Sequence, residues 1–293
     1  MKLSGVMPAL VTPFDAKGEI DFKAFEKHLT NMRAAGVTGW VPCGSTGEYS
    51  AMSDAERDQV LKFVKDFAKP GEILIAGTNA PHTKGVIANT RRAKEIGYNT
   101  VLLATPFYTK PTQQELIRHF TAVLDAVDVN IVLYSYPAKD GIELEWELLD
   151  ALADHPRVIG IKESSGSLQR AVGIATRYKG KLQLVSGSDD IALDFMFWGA
   201  DSWICGPANC MAKAVCDLDR TYRSGNLAKA REQMATLYTA MNILESGKFV
   251  QKVKYGCELQ GTPVGETRMP LGALTAEEKA AFRAAMEPII NWK

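Results

Sequence analysis

Lys162 closes an apolar run, Val158-Ile159-Gly160-Ile161. If that run is a buried strand, burial disfavours the ammonium and lowers its pKa. A neutral lysine amine can attack a ketone and form a Schiff base. The competing reading is a side chain that snorkels to solvent or pairs with Glu163, and the pattern alone leaves both open. Tyr134 closes Asn130-Ile131-Val132-Leu133 in the same way. A phenol at a strand end can relay protons, or it can be a core aromatic with its hydroxyl tied to the backbone. Ser45-Thr46-Gly47 offers two hydroxyls and backbone N–H groups. Such a turn is either a nest able to hold a carboxylate or an ordinary hydroxyl-capped turn.

Metal chemistry has little behind it. His28, His82, His119 and His155 fall in expected helices or loops facing away from the catalytic end, with no ligand spacing. The five cysteines are odd in number and contain no C-x-x-C, which argues for reduced thiols in a cytoplasm-like compartment. The first residues carry one lysine and a short apolar run broken by Pro8 and Pro13, so no signal peptide is expected. Thirty-four basic and thirty-four acidic residues cancel, giving no electrostatic case for nucleic acid or an anionic membrane. No uncharged apolar stretch reaches the ~18 residues of a membrane span.

The elements that must position Lys162 and Tyr134 recur along all 293 residues. Short, nearly continuous apolar runs begin at Val6, Thr38, Glu72, Asn99, Asn130, Val158, Lys181 and Asp201. That pattern suits strands buried on both faces of a parallel sheet. Helical patterns lie between them. One opens with Ser53 and has Glu56 three residues on, the spacing of a capping box. Eight βα units make an α/β TIM barrel, (β/α)8. A doubly wound sheet fits less well, because no Gly-rich nucleotide loop follows the first strand. After the eighth strand, Lys213 to Glu245 reads as helix, residues 256–274 as a Gly- and Pro-rich loop, and 275–290 as a last helix. The expected division is a barrel over 1–225 and a C-terminal helical extension over 226–293. A barrel places its site at the carboxyl ends of its strands. That rule nominates Cys43–Glu48, Thr105–Tyr108, Tyr134–Pro137, Lys162–Ser165, Ser186–Ser188 and Ile204–Gly206.

Gly5-Val-Met-Pro-Ala-Leu-Val-Thr-Pro-Phe14, Gly44-Ser-Thr-Gly-Glu48, Pro106-Phe-Tyr-Thr-Lys-Pro-Thr-Gln113, Tyr134-Ser-Tyr-Pro137, Ile161-Lys-Glu-Ser-Ser-Gly166 and Val185-Ser-Gly-Ser-Asp-Asp190 occur in this order. The set resembles the dihydrodipicolinate synthase / N-acetylneuraminate lyase family of class I, Schiff-base aldolases, over nearly the whole chain. The resemblance implies that Lys162 forms the Schiff base and that Tyr134 shuttles protons. It implies that Ser45 and Thr46 hold the substrate carboxylate, with Thr46 also touching the tyrosine. Tyr108 matches a tyrosine that crosses a subunit interface to complete a neighbour's relay. Gly187 and Ile204 match backbone positions near bound pyruvate. It further implies a TIM barrel with a helical extension, a homotetramer built as a dimer of dimers, and no cofactor beyond the covalent imine at Lys162.

Physics and family agree on the class of chemistry. A 2-keto acid needs a carboxylate nest, an amine nucleophile and a proton relay, and a protonated imine is an electron sink that needs no metal. The expected function is a lyase acting on pyruvate or a small 2-keto acid, by aldol cleavage, condensation or dehydration. One alternative is condensation of pyruvate with aspartate semialdehyde; another is a barrel that binds a keto acid without turning it over. The family's synthases usually carry arginine where Lys139 stands, and Tyr-Asn where this chain has Tyr134-Ser135. Lys139 keeps the charge without the bidentate fork. With Ser135, Ser164 and Ser165 it favours a small hydroxylated 2-keto acid.

Overall fold

The structure, a computed structural model, describes residues 1–292. Eight strands occupy the eight apolar runs: β1 Gly5–Pro8, β2 Gly39–Trp40, β3 in two pieces (Ile73–Leu74 and Ala76–Gly77), β4 Thr100–Ala104, β5 Asn130–Ser135, β6 Val158–Glu163, β7 Gln183–Ser186 and β8 Ser202–Cys205. All pairings between them are parallel. The ladder runs from β3 through β4, β5, β6, β7 and β8 to β1, where Gly5–Pro8 pair with Ser202–Cys205. β1 meets β2 through the Val41 N–H on Pro8 O at 3.1 Å and the Leu10 N–H on Val41 O at 3.0 Å. β2 meets β3 at Gly39–Ile73 and Trp40–Leu74, and the Ile75 N–H carries the ladder across the break by donating to Trp40 O at 3.1 Å. The sheet thus closes into a (β/α)8 barrel.

Met7, Val41, Leu102, Val132, Val185 and Ile204 fill the interior. Leu103, Ile131, Leu133 and Ile161 belong to a second cluster with helical residues such as Phe25, Leu29, Val64 and Phe120. Strand side chains alternate between faces and both faces are covered, which is why the runs read as continuously apolar.

The outer ring is α1 Phe22–Ala35, α2 Asp54–Phe67, α3 Thr83–Ile96, α4 Gln113–Ala126, a short α5 Pro137–Asp140, α6 Trp146–Leu152, α7 Leu168–Arg177, α8 Ala192–Phe197 and α9 Ala208–Arg223. Ser53 and Glu56 form the capping box that their spacing indicates, as do Thr112 with Glu115 and Thr275 with Glu278. Three further helices follow: α10 Leu227–Glu245, α11 Phe249–Leu259 and α12 Ala276–Ile290. We propose the division between α9 and α10, 1–225 and 226–293. The extension shares the barrel's core, since Leu237, Met241, Val253 and Phe282 join the same apolar cluster as Phe25.

Three sequence expectations need correction. Lys213–Glu245 is two helices, not one, separated at Ser224-Gly225-Asn226, where the Asn226 side chain caps α10. Gly256–Leu259 is the end of α11 rather than loop. Gly256 is there for close packing: a Cβ would lie 2.8 Å from Cys210 Cβ. Its glycine-rich surroundings had the look of a turn. His82 lies in the loop after β3, at the carboxyl end of the strands rather than facing away from it, where its Nδ1 accepts from the Gly85 N–H at 3.0 Å and caps α3. Among the described residues no group of three His, Cys, Asp or Glu is placed to hold a metal, and no helix is long and apolar enough to cross a membrane.

Candidate active site

Lys162 is the penultimate residue of β6 and is 6% exposed. It pairs with Tyr134 of β5 and with Val185 of β7, and Tyr134 pairs in turn with Ala104 of β4. These four residues form one layer across four strands. Tyr134 and Val185 belong to the interior cluster, so Lys162 enters the barrel and Glu163 leaves it. On the outer face Arg170 Nε of α7 donates to Glu163 Oε2 at 2.8 Å, and the Ser165 N–H donates to Oε1 at 2.7 Å. Glu163 is therefore spent on Arg170 and does not pair with Lys162. The Lys162 ammonium instead sits 4.3 Å from the centroid of the Tyr134 ring.

Burial lowers the Lys162 pKa to about 8. The Asp189 and Glu245 carboxylates oppose that shift, and the Lys139 ammonium adds to it. Burial likewise holds the Tyr134 hydroxyl well above its ordinary value, with Tyr136 and Asp140 pushing the same way. Asp189 follows β7 and is 3% exposed, and Trp203 Nε1 donates to its Oδ1 at 2.8 Å. Burial, then the nearby Glu245, raises the Asp189 pKa, while Lys162 and the Trp203 hydrogen bond hold it down.

Ser45–Gly47 forms a single tight turn after β2. Thr46 is buried and Ser45 half-buried. The turn is pinned from below: Thr12 Oγ1 donates to Gly47 O at 2.8 Å. Glu48, left-handed at φ 57°, closes it. The Glu48 carboxylate pairs with Lys254 of α11 at 2.7 Å and accepts the Arg268 N–H at 2.8 Å. Residues of the extension thus fix this turn of the barrel.

Ser164 Oγ donates to Gly187 O at 2.8 Å, which leaves it only lone pairs for a ligand. A Cβ on Gly187 would collide with that hydroxyl and lie 2.8 Å from Lys162 Cγ, so only glycine fits beside the lysine. Ile204 of β8 is 1% exposed inside the barrel. Lys139 lies on α5, its ammonium 5.0 Å from the Tyr136 ring and 5.7 Å from the Phe249 ring. Tyr108 is 90% exposed and stands apart from the group around Lys162.

Asp189, Glu245 and Phe249 were not nominated as site residues. Asp189 had a signal, since it follows Ser186-Gly187-Ser188 at the end of β7. Tyr136 sat within the nominated Tyr134–Pro137 but carried no role of its own. Glu245 and Phe249 had no signal, because the strand-end rule does not reach the extension.

The sequence model of the dihydrodipicolinate synthetase family matches residues 2–289. The chain is 37% identical over 283 residues to a 4-hydroxy-tetrahydrodipicolinate synthase of Trichlorobacter lovleyi, covering 97% of each chain. It is 36% identical over 286 residues to the synthase of that name from Geobacter metallireducens, again covering 97% of each. Among solved structures, it superposes with a TM-score of 0.94 and 31% identity on a chloride-inhibited dihydrodipicolinate synthase from Acinetobacter baumannii complexed with pyruvate, covering 98% of both chains.

Proposed function

The chain belongs to the dihydrodipicolinate synthetase family, and from that premise we propose that Lys162 is the Schiff-base nucleophile of a class I lyase acting on pyruvate or a small 2-keto acid. One observation carries the assignment: a lysine buried inside the barrel against Tyr134, with its neighbouring carboxylate turned outward to Arg170.

The neutral Lys162 amine attacks the C2 carbonyl, and the resulting carbinolamine loses water to give an imine. Protonation makes the imine an electron sink. Loss of a C3 proton then gives an enamine, which forms a C–C bond or expels a β-hydroxyl; the reverse sequence cleaves. Tyr134 moves these protons, and Ser45 with Thr46 holds the substrate carboxylate. Gly187 and Ile204 line the space beside the imine. No organic cofactor enters the scheme. The five cysteines, all free and buried, suit a reducing, cytoplasmic setting.

The names of the relatives favour a second reading, condensation of pyruvate with aspartate semialdehyde. Lys139 weighs against it, as a point charge already engaged with two aromatic rings.

The test is reductive trapping with pyruvate and borohydride, read by mass. The wild type gains one reduced pyruvate, and Lys162→Ala gains none while keeping its circular dichroism. An adduct on the folded variant assigns the nucleophile to another lysine.

A further inference from the structure

The turn that carries Ser45 and Thr46 is held from the extension by a buried ion pair. The side chains of Glu48 and Lys254 are each 2% exposed, with Lys254 Nζ 2.7 Å from Glu48 Oε1. Helix α11, which carries Lys254, packs against the turn itself. Lys254 also donates to Glu266 O at 2.9 Å and lies 4.3 Å from the centroid of the Phe14 ring. The Phe14 N–H donates to Val264 O at 3.1 Å, and Gly265, at φ 73°, passes so close that a Cβ there would strike Phe14 O. Arg268 stacks on the same ring at 4.2 Å. Its guanidinium is spent on Gly18 O, Ala51 O and the Glu56 carboxylate, and only its backbone N–H reaches Glu48. Lys254 is therefore the cation that neutralises Glu48.

Shape alone does not call for these charges. A glutamine at position 48 could accept the Arg268 N–H equally well, and two buried charges, even paired, often stabilise less than neutral packing. Resting on the reading of Lys162 as the nucleophile and of Ser45 with Thr46 as holders of the substrate carboxylate, we propose that Lys254 is a positioning residue that sets the charge of this turn, so that it accepts an anion. Left unpaired, Glu48 would stand as an anion one residue beyond Gly47. In a site closed to water it would repel an arriving carboxylate. Paired, it leaves the attraction of the turn's N–H groups and hydroxyls unopposed. Selectivity for a keto acid over a neutral ketone thus depends on a lysine of the extension, buried behind the turn.

Pyruvate and pyruvamide test this, because they differ by little but charge and both carry the ketone that Lys162 attacks. Each is titrated as the borohydride-trapped adduct and read by mass, with circular dichroism to check the fold of every variant. In the wild type pyruvate should half-saturate trapping at roughly tenfold lower concentration than pyruvamide. Lys254→Met should raise the pyruvate value about tenfold and leave the pyruvamide value within about twofold. Adding Glu48→Gln removes the stranded anion and should bring pyruvate back to within about threefold of the wild type. Glu48→Gln alone leaves Lys254 unopposed and should lower the pyruvate value about threefold, a prediction that stands even if Lys254→Met does not fold. A merely structural role would weaken both ketones alike, and a second substitution would not rescue it. Equal half-saturation by the two ketones in the wild type overturns the role of Lys254. So does an unchanged pyruvate value in folded Lys254→Met or Glu48→Gln, or a double variant no better than Lys254→Met. A wild type that gives no adduct with either ketone overturns the Lys162 reading itself, and the role of Lys254 falls with it.

Discussion

At the scale of single residues, the site depends on a proton count. Only the neutral amine of Lys162 attacks a carbonyl. With its pKa lowered from 10.5 to about 8, about one molecule in four carries the neutral amine at pH 7.5, against about one in a thousand for an unperturbed lysine. The sign follows: the initial rate of pyruvate trapping should climb as pH rises from 6 and level off above about 8. A rate still rising steeply at pH 9.5 would mean that the lysine titrates like an exposed one. Tyr134→Phe removes one hydroxyl and little volume, and should lower kcat by ~10²–10⁴ with a modest change in KM. Thr46→Val should act in the same direction, and an unaltered kcat in Tyr134→Phe would make that ring a packing group. Lys162 and Tyr134 drew notice because each ends an apolar run, but that pattern left a structural role equally open, and it was the ordered family motifs that favoured the site. Glu245 drew none, because nothing local distinguishes a glutamate at the end of an exposed-looking helix from any other.

Elements carry their own signals. Every strand was visible as an apolar run, and the start of α2 was visible as a cap. Ser53 accepts from the Glu56 N–H at 3.2 Å, and Glu56 Oε2 accepts from the Ser53 N–H at 2.8 Å. Ser53→Ala should cost ~1 kcal/mol, seen as a lower urea midpoint at constant slope. An unmoved midpoint would mean that the remaining contacts of Glu56, which also pairs with Arg268, suffice to hold the start of α2. The end of α11 was hidden for the opposite reason. Gly256 lets α11 approach α9 at Cys210, and a glycine used for closeness looks in sequence like a glycine used for turning.

For the whole molecule, one exposed apolar surface stands out. Phe197, Trp198, Leu227 and Tyr238, between 41% and 66% exposed, cluster on α8, α10 and the segments beside them. Tyr108, 90% exposed in the loop after β4, is a single ring apart from it. An apolar patch of this kind is what a contact between copies uses, and we propose a dimer of dimers with this patch as one of its contacts. Light scattering should therefore give a tetramer, and Phe197→Asp with Leu227→Asp should halve the mass; a fully active monomer at assay concentration would remove the proposal. Barrel closure has a further consequence, for synthesis. β1 is made first, yet its partner β8 begins only at Ser202. At ~5–20 residues per second the ribosome needs about 10–40 s to reach it. Through that interval the nascent chain carries an open strand edge, and from residue 162 onward a lysine facing an unclosed barrel. β8 covers the edge of β1, but Lys254 and Arg268, which fix the turn at Glu48, are still to be made, so the edge is sealed before the pocket is complete.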